Sequence, residues 1–252
     1  MNRIFVPTQT ASDCQRLLAK PTLHWKKGHS AMTSAACWDA AKGQLPPEIT
    51  AVLESANDPA LANLVLLAAL PEWEVPLPGG EHSSFTDVLA IVRNDRGLVC
   101  VAVEAKVEEE FGPTLLAKRK DASNGQSERL NYLHEKLRLQ SPLADTIQYQ
   151  LVHRTASALL IAEKFHAQAA VMLVHSFSPT ARWHEQYTDF CKAMGATTLS
   201  EHIYVVPRFD VPKLYLAWCA GDKKFLEIDL PSLYALPIGS DGASYRSRVM
   251  NC

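Results

Sequence analysis

The sequence predicts an α/β protein in one domain: a mixed central β-sheet flanked by helices, with an N-terminal helical extension. Three observations predict it. The first seventy residues carry helical signals. Strand-like runs then follow one another around tight turns, and later strands alternate with amphipathic stretches. With 252 residues, 47% hydrophobic and 21% charged, the chain can bury a sizeable core. The expected organisation is a helical part, residues 1–70, packed on a core of residues 71–252.

The elements follow in order. "SAMTSAACWDAAKG" offers a Ser cap, an Ala-rich body and a stop at Gly43. "PPEITAVLESA" opens with Pro, which suits a first helical turn. "DPALANLVLLAALPEW" reads as a helix capped by Asp58 that ends before Pro71. "EWEVPLPGG" reads as a short strand closed by a Pro-Gly-Gly turn. "SFTDVLAIVRN" and "GLVCVAVEAKV" are strands by their β-branched content, with the turn "NDRG" between them and Gly97 suited to a positive φ. "SERLNYLHEKLRL" and "DTIQYQLVHRTASALLIAEKFH" are helices, the second with Asp145 as its cap. "AAVMLVHSF" is almost wholly apolar, as expected of a central strand covered on both faces. "ARWHEQYTDFCKAMG" is an amphipathic helix stopped by Gly195, and "HIYVVPRFD" and "KLYLAWCAG" supply one or two late strands.

Composition removes several function classes. The formal net charge is −2, so the field of the whole molecule does not favour nucleic acid, and polyanion contact needs a local patch. Cys14, Cys37, Cys100, Cys191, Cys219 and Cys252 are scattered without a C-x-x-C pair, which suits reduced thiols in a cytoplasm. The start "MNRIFVPTQTASDC" has no apolar signal region, and "LANLVLLAAL" is too short to span a bilayer, so no membrane association is expected. P-loop, dinucleotide and hydrolase-elbow motifs are absent.

"TDVLAIVRNDRGLVCVAVEAKV" carries the chemistry. Side chains alternate faces along a strand, so Cys100, Ala102, Glu104 and Lys106 share one face and a wall of Val the other. A two-residue turn at Asp95-Arg96 sets Asp87 opposite Glu104; a bulge at Gly97 would bring Asp87 nearer Ala105. Either way two carboxylates meet at one sheet end with an ammonium beside them. Such acids repel, and low dielectric strengthens the repulsion. A raised pKa on one acid or a divalent cation between them relieves it. Hard oxygen donors suit Mg²⁺ or Mn²⁺, and Lys106 could then polarise a phosphoryl oxygen or orient water. The bland reading is a Glu104–Lys106 edge ion pair with Asp87 as a turn cap.

These residues resemble the restriction-endonuclease-like superfamily, whose motif is written PD-(D/E)xK. Asp87 matches its Asp, and Glu104-Ala105-Lys106 match (D/E)-x-K; Thr86 stands in place of the usual Pro. "LPGGEHSSFTDVLA", "VEAKVEEEFGPT", "YQLVHRTASALLIAEKF" and "HWKKGHSAMTSAACWDA" are similar to an uncharacterised bacterial branch of that superfamily. The resemblance implies a restriction-endonuclease-like core and a Mg²⁺- or Mn²⁺-dependent phosphodiesterase cutting DNA. Asp87, Glu104 and the Ala105 carbonyl would hold the metal. A further acid would come from the helix before the strands, Glu54 first and Glu48 second, with Glu74 and Glu81 as other candidates.

A second constellation lies on the helix from Thr146 to His166, where Gln150, His153, Arg154 and Ser157 share one stripe. The resemblance aims such a stripe at the metal site. Gln150 would bond the Lys or the attacking water, and Arg154 would hold a phosphate. His153 is a candidate proton shuttle or substrate contact, because imidazole titrates near neutrality. The alternative is a solvated stripe. Elsewhere, Glu108, Glu109 and Glu110 read as an acidic turn, "KRKDASNGQSER" as a surface loop, and Trp25 as an anchor for the N-terminal segment. A nuclease-fold binding module without turnover, or a subunit taking its DNA contacts from a partner, is the alternative to an enzyme. Apolar surface after Tyr204 could serve a homodimer.

Overall fold

The computed structural model describes residues 10–80 and 83–234. A 3₁₀ turn (Ala11–Leu17) and a short helix α1 (Pro21–His24) lead into α2 (Ser30–Ala40) and α3 (Pro47–Ser55). Strands β1 (Val65–Val75), β2 (Ser84–Asn94) and β3 (Gly97–Lys106) follow as antiparallel neighbours. Helices α4 (Leu115–Arg119), α5 (Asn124–Lys136) and α6 (Tyr149–Lys164) cross over to β4 (Ala169–Ser176), which lies parallel to β3. Helix α7 (His184–Ala193) precedes β5 (Thr197–Ser200), β6 (Ile203–Asp210) and β7 (Lys213–Ala220). The sheet has seven strands in the order β1-β2-β3-β4-β7-β6-β5, so the mixed α/β class holds. The parallel strands β3, β4 and β7 sit at its centre.

Each sheet face has its own core. Leu89, Ile91, Cys100, Ala102 and Met172 pack against Leu151 and Leu159 of α6. On the other face Val88, Ala90, Val101, Val103 and Leu173 pack against Ile49, Val52 and Leu53 of α3. No helix among the described residues is long and apolar enough to cross a membrane.

Three expectations are corrected. The helical part ends at Ser55, not residue 70: "VLLAALPEWEV" is the edge strand β1. Its apolar run lacks a distinguishing period, and pairing with β2 decides between helix and strand. Helix α6 starts at Tyr149 rather than after Asp145, because Gln148 is bridged to Thr114. The loop expected around Asn124-Gly125 is the first turn of α5, closed by a Ser123–Gln126 capping box.

That turn packs on the Pro-Gly-Gly corner. Gly79 has φ +69°, and a Cβ there would lie 2.3 Å from the Gly125 carbonyl oxygen and 2.7 Å from the Arg129 nitrogen. Gly79→Ala is therefore expected to destabilise by at least about 2 kcal/mol, read as a lower urea midpoint.

Candidate active site

The hairpin turns at Asp95-Arg96, with Asn94 opposite Gly97 and Val88 opposite Val103. Of the two registers open from sequence, the unbulged one holds. One step beyond Val88, Asp87 Oδ2 accepts the Ala105 N–H at 2.7 Å. What Ala105 is seen to contribute is thus its N–H.

Glu104 is the hub. It is 4% exposed, and its Oε1 accepts from Lys106 Nζ at 2.8 Å and Gln150 Nε2 at 2.7 Å, while Oε2 accepts from Arg154 Nε at 2.6 Å. Burial pushes the Glu104 pKa up, but the Arg154 guanidinium and then the Lys106 ammonium outweigh it and hold the carboxyl ionised, well below its usual range. Lys106 Nζ also lies 5.4 Å from the centre of the Phe111 ring. The α6 stripe faces this hub, not solvent. Arg154 Nη1 donates to Ser84 Oγ at 2.8 Å, and Ser157 Oγ donates to the same oxygen at 3.0 Å.

The structure revises the roles within the stripe. Gln150 bonds Glu104 rather than Lys106, and the Arg154 Nε and Nη1 donors go to Glu104 and Ser84 rather than outward to a phosphate. A buried carboxylate needs countercharge, and these are the donors within reach. Burial first, then the Arg154 charge, depress the His153 pKa to about 3, and its Nδ1 shares a hydrogen bond with Ser84 Oγ at 3.1 Å.

Sequence reasoning missed Glu72. In the β1–β2 ladder it falls between Pro71, opposite Val88, and Trp73, opposite Thr86, which puts it across from Asp87. Its φ of +49° is left-handed, a strain of order 1 kcal/mol for a residue with a Cβ. Burial, then the Asp87 and Glu104 charges, raise the Glu72 pKa to about 8. Burial, then Glu104, raise Asp87 to about 7. Both line a cavity of about 360 Å³ beside α2 and another of about 560 Å³ beside α1. The one available signal was an acid in β1 that the hairpin logic, extended by one strand, would pair with Asp87.

The other proposed acids lie elsewhere. Glu54 is exposed on α3, which packs on the opposite sheet face, so it is not a ligand here. Glu48 faces His175 at 3.3 Å, Glu74 is exposed, and Glu81 lies outside the described residues. The acidic turn is structural: Glu109 accepts from the backbone N–H of Ser30, the first residue of α2, and Glu108 pairs with Arg182. Trp25 is 5% exposed, an anchor rather than a stacking platform.

The site therefore holds three carboxylates and two cations. Lys106 and Arg154 neutralise Glu104. Asp87 and Glu72 have no ion pair among the described residues, and their carboxylates are hard oxygen donors at the wall of open cavities. Hard oxygen donors are of the kind Mg²⁺ or Mn²⁺ takes, but among the described residues these three carboxylates are not a group whose donor atoms lie close enough together to share one ion.

Neither a search of curated proteins nor one of solved structures found a match. The model of a family described as a domain of unknown function, DUF6946, matches residues 7–223, most of the chain. The chain belongs to that family.

Proposed function

We propose that the chain is a Mg²⁺- or Mn²⁺-dependent phosphodiesterase of the PD-(D/E)xK type, cutting nucleic acid, most simply DNA. One observation carries this reading: Glu72 and Asp87, which have no direct ion pair among the described residues, adjoin a Glu104–Lys106 pair in a cavity-lined strand end. The cation, when bound, supplies Lewis-acid activation of water and charge neutralisation at the phosphoryl group. Lys106 donates a hydrogen bond to the attacking water or to charge developing on a phosphoryl oxygen. Gln150 and Arg154 hold Glu104 in one orientation so that its position does not drift during turnover. Water adds to phosphorus and the P–O ester bond breaks, leaving a phosphate monoester and a hydroxyl. Exposed Lys26, His24 and His29 line the larger cavity with Asp87 and Glu109, and exposed Lys42, paired with Asp39, lines the smaller, so the rim is of mixed charge. The cytoplasm is the proposed compartment, supported by the five described cysteines being free.

Calorimetric titration of the metal-free chain with Mn²⁺ is expected to show binding at millimolar or lower concentration, lost in Asp87→Asn. Metal-dependent plasmid nicking is expected to fall about 10²–10³-fold in Lys106→Met. No Mn²⁺ binding, or equal nicking by the Lys106 variant, would overturn the enzyme reading. A binding module without turnover is the second reading. The Arg154–Glu104 pair favours it, because the guanidinium spends two donors inside the protein.

A further inference from the structure

We infer that Cys37, Glu48 and His175 bind a zinc-class divalent cation at a second site, on the sheet face opposite Glu104, where it fastens α2 and α3 to β4. The three side chains come from three separate elements. Cys37 is on α2, Glu48 is on the first turn of α3, and His175 is near the end of β4. Their donor atoms all lie within 4.8 Å of one another.

The separations suit one ion. Glu48 Oε1 is 3.4 Å from Cys37 Sγ and 3.3 Å from His175 Nε2. Metal bonds of roughly 2.0–2.3 Å in tetrahedral geometry place neighbouring ligand atoms about 3.3–3.6 Å apart. As a hydrogen bond the His175 contact is long, and both contacts fall on a single oxygen. A thiolate, an imidazole and one carboxylate are a borderline-soft set, unlike the all-oxygen cluster at Asp87, and that chemistry selects Zn²⁺ over Mg²⁺.

The surroundings are arranged around the imidazole. His175 and Cys37 are 0% and 2% exposed, whereas Glu48 reaches solvent and gives an ion a way in. His175 Nδ1 has no hydrogen-bond partner among the described residues, so Nε2 is the nitrogen turned into the cluster. A Cβ on Gly221 would meet that Nε2 at 3.0 Å and the Phe177 ring at 2.4 Å; glycine leaves the nitrogen its room. Cys219 stands opposite His175 in the β4–β7 register and is buried on that sheet face, but its sulfur is not among the donor atoms within 4.8 Å of one another, so the remaining coordination position is left to solvent.

Because Ala105 pairs with His175 while Glu104 pairs with Val174, the two clusters lie on opposite faces of the same strand ends and can be tested apart. The full chain, reduced and stripped with chelator, is titrated with Co²⁺ and then with Zn²⁺. One equivalent of Co²⁺ is expected to give thiolate-to-cobalt charge-transfer absorption that Zn²⁺ displaces. Cys37→Ser is expected to lose the band; Asp87→Asn and Cys14→Ser are expected to keep it. A wild-type spectrum without the band, or a Cys37→Ser spectrum with it, would overturn the assignment. Should Cys37→Ser fail to fold by circular dichroism, Glu48→Gln decides: Zn²⁺ affinity at least about tenfold weaker supports the site, and unchanged affinity overturns it.

Discussion

Glu104→Gln is expected to lower the stability of the metal-free chain by about 3–5 kcal/mol. The wild-type carboxylate accepts three side-chain hydrogen bonds and faces two cations that are themselves nearly buried. Glutamine removes the charge and turns one acceptor into a donor, leaving Lys106 and Arg154 without their anion. The cost is that of an uncompensated buried charge, not of one lost contact. It is measured as a fall in urea midpoint at constant slope, and a change under about 1 kcal/mol would show that the hub is not what holds this sheet end. The pH dependence has a definite sign. Glu104 is depressed in the folded state from 4.5, so its contribution is complete above about pH 5 and is lost as pH falls towards 2. The glutamine variant should lack that part of the acid transition.

Asp87→Asn is expected to act in the opposite direction on stability while removing at least about 100-fold of the metal-dependent hydrolysis. Asparagine can still accept the Ala105 N–H, so the strand end keeps its hydrogen bond. What disappears is a carboxylate crowded by Glu72 and Glu104. The Asp87 pKa is raised in the folded state from 3.8 to about 7, so the wild-type chain loses stability as pH rises through that interval. The variant should gain up to about 4 kcal/mol at pH 8 and nothing below pH 4. Parallel melts at the two pH values check the stability, and plasmid nicking checks the activity. A variant less stable at pH 8 and equally active would remove Asp87 from the site altogether.

Much of this site was legible before any coordinates, for identifiable reasons. The turn "NDRG" sets a hairpin register, and a period of two assigns Asp87, Glu104 and Lys106 to one face with little freedom. A period of 3.6 likewise put Gln150 and Arg154 on one stripe of α6. Their partners were less readable. That both converge on Glu104 depends on how α6 sits across β3, which no local spacing encodes. Glu72 was hidden although "EWEVPLPGG" reads as a short strand, because only its register against β2 brings that acid, rather than Glu74, opposite Asp87. Cys37, Glu48 and His175 are separated by long stretches of chain, and Glu48 had been considered for the wrong face of the sheet.

The left-handed backbone at Glu72 has a practical corollary. Glycine would occupy that conformation freely and would relieve the acid crowding in the same stroke. A library sorted only for heat resistance would therefore drift towards Glu72→Gly and Asp87→Asn together. Its sturdiest survivors would be those that had discarded the carboxyl groups an ion needs.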